Sequence, residues 1–427
     1  MNPTHVSRRR LIGALGLGAA GIAAGPVLAG CGSNSGGVQK GGGGGSSKAT
    51  LSQWYHQYGE KGTEQAAKKY AADYKDANVN VSWTLGDYAS KLASRLVSGS
   101  GVDVFEDQTS AVSNVRAGRY DDLTDIMDPV KGSFSEAALK RVTVDGKIYG
   151  IPMIIDPQFI YYRKSLLDKA GIKAPQSMDD LVSATKELTG GGKHGAFWGN
   201  DGGVVALSMP AIWAGGGDGL TADNSKAAFA TDGTAKAAAA LRQMYADKSI
   251  LLGAPTDWTD PGAFNGGLVA MQWCGLWAMP TITAKWGDDV GIMPMPPGAG
   301  KPTVLLGGWN QFVAGKASDV DAAKKFVKSL WIDNTEAQTD WSLSYGFHIP
   351  PRQQVASKAD KLKSGLPAEA LTMFTDHARA LPPYWTPEMN TDLADAMTRI
   401  LQNGGDPAQQ LDAAAQKVTA AAAKLAA

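Results

Sequence analysis

The chain has 427 residues, of which 41 are Lys or Arg and 41 are Asp or Glu, so its net charge is zero with histidine neutral. That balance, with no basic stripe and no long run of like charge, argues against nucleic acid as a partner. The five histidines, His5, His56, His194, His348 and His377, lie far apart and none sits four residues from another, so neither a metal site nor any other cofactor is expected.

The first segment reads as an export signal over residues 1–30. Ser7-Arg8-Arg9-Arg10 precedes a Gly/Ala/Leu run that is broken by Gly13, Gly16, Gly18, Gly21, Gly25 and Pro26 and is short for a membrane span. Its paired arginines suggest the twin-arginine route. Leu28-Ala29-Gly30-Cys31 resembles the bacterial lipobox, which implies that Cys31 becomes a lipidated N-terminus. Residues 31–48, rich in Gly and Ser, cannot bury apolar surface and form a flexible tether. Loss of Arg8, Arg9 and Arg10 leaves a charge near −3. The other cysteine, Cys274, lies between Trp273 and Gly275 in an apolar run and reads as a buried, inert thiol.

The remainder is too long for one ordinary core and points to two lobes. Thr50–Trp54 reads as a strand, and a helix follows from about Thr63 with Ala67, Tyr70, Ala71 and Tyr74 at helical spacing. Val79–Trp83 alternates with period two. Asp87 is placed to cap a helix carrying Tyr88, Leu92 and Leu96 and ending near Gly99, before a short strand at Val102–Phe105. This βαβαβ order predicts an α/β fold with a parallel sheet, whose ligands sit beyond the carboxyl ends of the strands. Asp121, Asp122, Asp125 and Asp128 read as a solvated face, not a calcium loop. Ser177-Met178-Asp179-Asp180 and Ser318-Asp319-Val320-Asp321 resemble capping boxes. Leu393, Met397, Ile400 and Leu401 form a later stripe stopped by Gly404, and Asp406-Pro407 opens a final Ala-rich helix.

Enzyme signatures fail, and no catalytic residue is assigned. Gly16, Gly18 and Gly21 match Gly-x-Gly-x-x-Gly, but inside the export signal with no preceding strand. What stands out is tryptophan: twelve in all, with Trp54, Trp213, Trp273, Trp277, Trp309 and Trp385 at strand ends or in Gly-rich loops. An indole presents a flat apolar face that stacks on the C–H face of a sugar, while carboxylates, amides and Arg satisfy the hydroxyls. Tyr55 and His56 after the first strand, Glu106 and Asp107 after the third, and Asp156 after Gly150-Ile151-Pro152 stand where the sheet argument puts a ligand.

Several segments together resemble the extracellular solute-binding proteins of ABC importers, in the class that handles sugars and oligosaccharides. They are Asp145–Pro152 followed by Tyr161-Tyr162-Arg163-Lys164, Ala263–Met271 leading to Gly275-Leu276-Trp277, Gly307-Gly308-Trp309-Asn310, and Gly346–Arg352. The resemblance implies two α/β lobes joined by hinge strands around a ligand cleft. Lobe I would take 49–156 and 306–347, and lobe II 157–305 and 348–427. By position in those motifs, Trp277 corresponds to a stacking aromatic, Gly307 and Gly308 to hinge-side contacts, and Arg352 to a hydroxyl donor. His56 and Asp107 correspond to lobe I contacts and Asp156 to an acidic hinge contact. Trp309 and Asn310 belong to the same motif, while Trp213, Trp273 and Trp385 carry over less directly.

The expected partners are a small carbohydrate, ABC permease subunits, and the membrane through the lipid on Cys31. The protein would act as a monomer on the extracellular face of a bacterial cytoplasmic membrane. Two rivals remain: a binding protein for a polyamine or other small solute, caged by Trp and acids, and a secreted glycoside hydrolase using Glu106, Asp107 or Asp156.

Overall fold

The computed structural model describes residues 48–426. The segment expected to be an export signal, Cys31 and the glycine-rich stretch lie outside them, apart from Lys48. The strands that frame the molecule are, in chain order, β1 (Ala49–His56), β2 (Ala77–Thr84), β3 (Val104–Asp107), β4 (Gly150–Pro152), β5 (Asp156–Arg163), β6 (His194–Phe197), β7 (Val269–Gly275), β8 (Val290–Met293), β9 (Val304–Gly307), β10 (Asn310–Val313) and β11 (Ala378–Arg379).

The first sheet has the order β2-β1-β3-β10-β4. β1 runs parallel to β2 and β3, as the βαβαβ pattern predicts, but β10 enters antiparallel between β3 and β4, pairing Asn310 with Asp107 and with Pro152. The sheet is therefore mixed. Nothing local in Asn310–Val313 announces a partner so distant along the chain. The helices between the first strands form for the expected reasons. Asp87 accepts a hydrogen bond from the Ser90 amide at 3.1 Å to open Tyr88–Ser98, and Gly99 closes it in the left-handed region at φ 66°.

The second sheet has the order β11-β9-β5-β7-β6, with β8 pairing along the far half of β5. It is covered on both faces. Met271 and Trp273 of β7 enter one core and Cys274 the other, while Ile160 of β5 opposes Phe159 and Tyr161. A strand buried on both sides loses polar alternation and reads as a continuous apolar run, as Val269–Gly275 does. Cys274 is buried, and burial pushes its thiol up to about 12, which keeps it protonated and inert.

One capping expectation shifts by a residue. Ser177 accepts from the Asp180 amide as predicted, but the helix Val320–Lys328 is capped by Asp319, which accepts from Ala322 at 2.9 Å. Ser318 instead donates its hydroxyl to Asp103 at 2.8 Å, tying that helix to the start of β3. Among the four aspartates read as a solvated face, Asp121 and Asp125 face Lys324, at 3.6 and 2.8 Å.

The chain passes between the sheets three times. Met153–Ile155 links β4 to β5, and Gly308-Trp309 links β9 to β10. The third passage carries the chain from Trp341, in the first core, to Phe347 and Ile349, in a core of the second sheet. The passages are bonded together: Met153 and Ile154 donate to the Trp309 carbonyl, and Ile155 and Ile349 exchange both backbone hydrogen bonds at 3.0 Å. Leu306 and Gly307 still pair with Pro157 and Asp156, so the second passage begins at Gly308, whose φ of 109° suits glycine. Among the described residues no helix is long and apolar enough to cross a membrane.

Candidate functional site

Where the carboxyl ends of β1 and β3 meet the passages, a cleft of about 1000 Å³ opens between the two sheets. His56, Asp156, Trp277, Gly307, Gly308, Trp309 and Trp385 all line it. Strand geometry explains the first. Successive side chains of β1 point to opposite faces, and Leu51, Gln53 and Tyr55 are buried in the first lobe's interior, so His56 turns the other way.

The first-sheet wall is an aromatic platform. The His56 imidazole stacks on Trp309 with centroids 3.9 Å apart and planes 21° off parallel, and Tyr58 lies 4.0 Å from the imidazole on a tilt. Glu106 stands behind it, fully buried. It accepts from the His56 amide at 2.5 Å, from the His56 ring at Nδ1, and from the Tyr58 hydroxyl at 2.8 Å. With Nδ1 committed to Glu106, the ring's orientation and its free nitrogen are set by a residue that does not itself line the cleft.

The opposite wall carries a second platform. Trp277 is half-buried, donates from Nε1 to the Thr259 carbonyl at 2.8 Å, and lies 6.2 Å from Trp258. Its ring covers the α-carbon of Gly275, where no side chain fits. Trp385 is mostly buried, with its edge against Phe229, and lines one end.

The cleft floor is charged but internally matched. His348 meets Asp156 at 2.5 Å through Nδ1 and Glu60 at 3.4 Å through Nε2. Burial works against its charge, but Asp156 and then Glu60 outweigh it and raise the imidazole to about 10, so it is cationic at neutral pH. The same contact acts on Glu60: burial favours its protonation, yet the bond and charge of His348 hold it below the ordinary carboxylate value. Arg141 donates to the Gly307 and Gly308 carbonyls at 2.8 and 2.7 Å, clamping the second passage. Burial lowers its guanidinium to about 10, against the pull of Asp156 and Asp107, which leaves it charged.

Other expected contacts lie elsewhere. Tyr55 is core, hydrogen-bonded to Gln53 at 2.7 Å, because it faces the opposite side of β1 from His56. Asp107 is bound by the Tyr120 hydroxyl at 2.6 Å, away from the cleft, and Asn310 holds the Asp107 and Gln108 carbonyls at 3.2 and 2.9 Å. Arg352 is buried, donates to the Ser133 hydroxyl at 3.1 Å and to the Ile332 carbonyl, and does not line the cleft. Trp213 and Trp273 are buried, bonded to Asp218 and to Gln158. The residues missed from sequence are Tyr58, Glu60, Arg141, Trp258, Tyr345 and His348. His348 sat inside a segment already singled out, but a histidine buried between two acids looks in sequence like any other. Among the described residues no cluster of His, Cys, Asp and Glu is arranged to hold a metal ion.

Comparison with known proteins accords with this geometry. Residues 65–368 match the family model described as bacterial extracellular solute-binding protein. The chain is 27% identical over 395 residues to the diacetylchitobiose binding protein DasA of Streptomyces coelicolor, covering 88% of this chain and 90% of that one. A Rhizobium radiobacter lactose-binding protein is 25% identical over 63% of this chain and 66% of its own. In fold, the chain resembles an ABC transporter solute-binding protein from Thermotoga lettingae solved with α-D-tagatose, with a TM-score of 0.75, 21% identity, and 88% and 100% of the two chains covered. It also resembles the cyclic α-maltosyl-1,6-maltose binding protein of Arthrobacter globiformis, with a TM-score of 0.72, 23% identity, and 88% and 100% covered. With a matched model spanning most of its length and a cleft between two α/β sheets joined by three passages, the chain belongs to the bacterial extracellular solute-binding protein family.

Proposed function

We propose that this protein is the solute receptor of an ABC importer, capturing a mono- or oligosaccharide in the cleft and delivering it to a permease. The observation that carries this reading is the pair of aromatic platforms, His56–Trp309 and Trp258–Trp277, on opposite walls of one cleft. Flat rings on both sides suit a guest with two apolar C–H faces, and a rim of Gln108, Thr109, Gln158 and Asp260 supplies hydroxyl partners. The lobe built on the first sheet and the lobe built on the second, which begins at Asp156 and keeps Leu306 and Gly307, would close over it about the three passages. A ligand touching both walls binds the closed form better, and that difference is what a permease reads. Lipid on Cys31 would hold the receptor at the extracellular face of the membrane.

The electrostatics weigh against a polyamine. Glu60 and Asp156, the acids of the floor, already share the His348 cation. A hydrolase needs two carboxylates across one bond, and here Glu106 is sealed behind His56 while Asp107 faces Tyr120. Intrinsic tryptophan fluorescence and calorimetry across saccharides and polyamines test the reading. Saccharide binding without released product is expected; binding of spermidine with none of any sugar, or hydrolysis of a bound glycan, would refute it.

A further inference from the structure

Beyond the cleft lies a second cavity of about 670 Å³. Pro280, Tyr345 and Gly346 line both, so the two spaces adjoin at those residues. That boundary is braced: the Tyr345 hydroxyl donates to Asp340 at 3.2 Å and its ring rests against Gly62.

The second chamber pairs an apolar floor with acceptors on its rim. Met279, Val290, Leu343, Phe347, Leu366 and Pro367 form the floor. Asp288 and Glu369 are exposed on two different elements, and neither carboxylate has a hydrogen-bond or ion-pair partner among the described residues. The cations beside them are engaged: Lys361 Nζ donates to the Leu343 carbonyl at 2.6 Å and Lys164 Nζ to the Asp288 carbonyl at 3.1 Å. Apolar surface edged by unused acceptors matches a sugar unit, which offers a C–H face and hydroxyl donors.

Resting on the saccharide reading of the cleft, we propose that this chamber holds the distal units of an oligosaccharide whose leading units lie between the aromatic platforms. The protein is therefore a receptor for chains longer than the cleft alone accommodates. Affinity rises with chain length until the chamber is filled, and the increment depends on its rim.

The test is calorimetry on the purified protein with three series of neutral oligosaccharides: maltose to maltohexaose, laminaribiose to laminarihexaose, and N,N′-diacetylchitobiose to its hexamer. In the series that binds, the longer members should bind about tenfold more tightly than the shortest. A variant combining Asp288→Ala with Glu369→Ala should lose about fivefold or more on the long members while matching wild type on the shortest. Leu366→Trp, which fills the floor, should act the same way. A flat length profile in wild type, or variants that leave long members unchanged or weaken short and long alike, overturns the second chamber and spares the cleft. Silence across all three series overturns both.

Discussion

Gly275→Ala is a sharp test of the Trp277 platform, because it displaces the indole while leaving the tryptophan itself in place. Gly275 has φ −90° and ψ 174°, a conformation open to any L-residue, so alanine adds no backbone strain. Its carbonyl keeps the Tyr161 hydroxyl, at 3.0 Å. The new methyl, however, would fall within the six-membered ring of Trp277. The indole must swing away and release the Thr259 carbonyl, a bond of 2.8 Å in the native site. An aromatic contact contributes about 0.5–1.5 kcal/mol beyond area burial, and restoring the ring's anchor costs a comparable amount. The expected loss is about 1–2 kcal/mol, a five- to thirty-fold weaker Kd. Because the indole is half-exposed, the melting temperature should move little. Titration calorimetry with a saccharide that binds wild type, alongside Trp277→Ala and thermal melts, reads both quantities. Wild-type affinity in Gly275→Ala with an unchanged melt would refute the claim that Trp277 carries the contact.

The buried triad predicts a pH signature. His348 has its pKa raised to about 10, so its contribution to stability is complete below the unfolded value of about 6.5 and is lost as pH rises through 10. Glu60 is lowered, so its share is present above the ordinary value of about 4.3 and disappears as pH falls through its folded value. His348→Gln should cost about 3–5 kcal/mol at neutral pH by leaving the buried Asp156 and the partly buried Glu60 carboxylates unmatched. In thermal melts the gap to wild type should narrow as pH approaches 10, and a gap that stays constant to that pH contradicts the assignment. Arg141→Ala should destabilise by about 2–4 kcal/mol, because two carbonyls of the second passage lose charged donors. Ligand-induced compaction in small-angle scattering should also weaken, and normal compaction with a normal melt would argue against the clamp.

Local rules carried far into this molecule. Alternation and capping marked β1, β2 and the helix behind Asp87, since each depends on neighbours within a few residues. The same alternation, taken one step further, separates Tyr55 in the core from His56 in the cleft. The tryptophans divided less readily. Trp213, between Ile212 and Ala214, packs inside, while Trp277, between the similar Leu276 and Ala278, faces the cleft. An indole is apolar enough for either place, so its neighbours in space decide.

Periodicity and turn chemistry, acting over short stretches, were enough to announce an α/β chain with its ligand beyond the strand ends. The insertion of β10 between β3 and β4, the meeting of Glu60, Asp156 and His348, and the hold of Arg141 on Gly307 and Gly308 arose only when distant segments came together. Buried charges are tolerated only when matched, and a match between residues so far apart along the chain is a property of three-dimensional packing, with no local trace in the residues themselves.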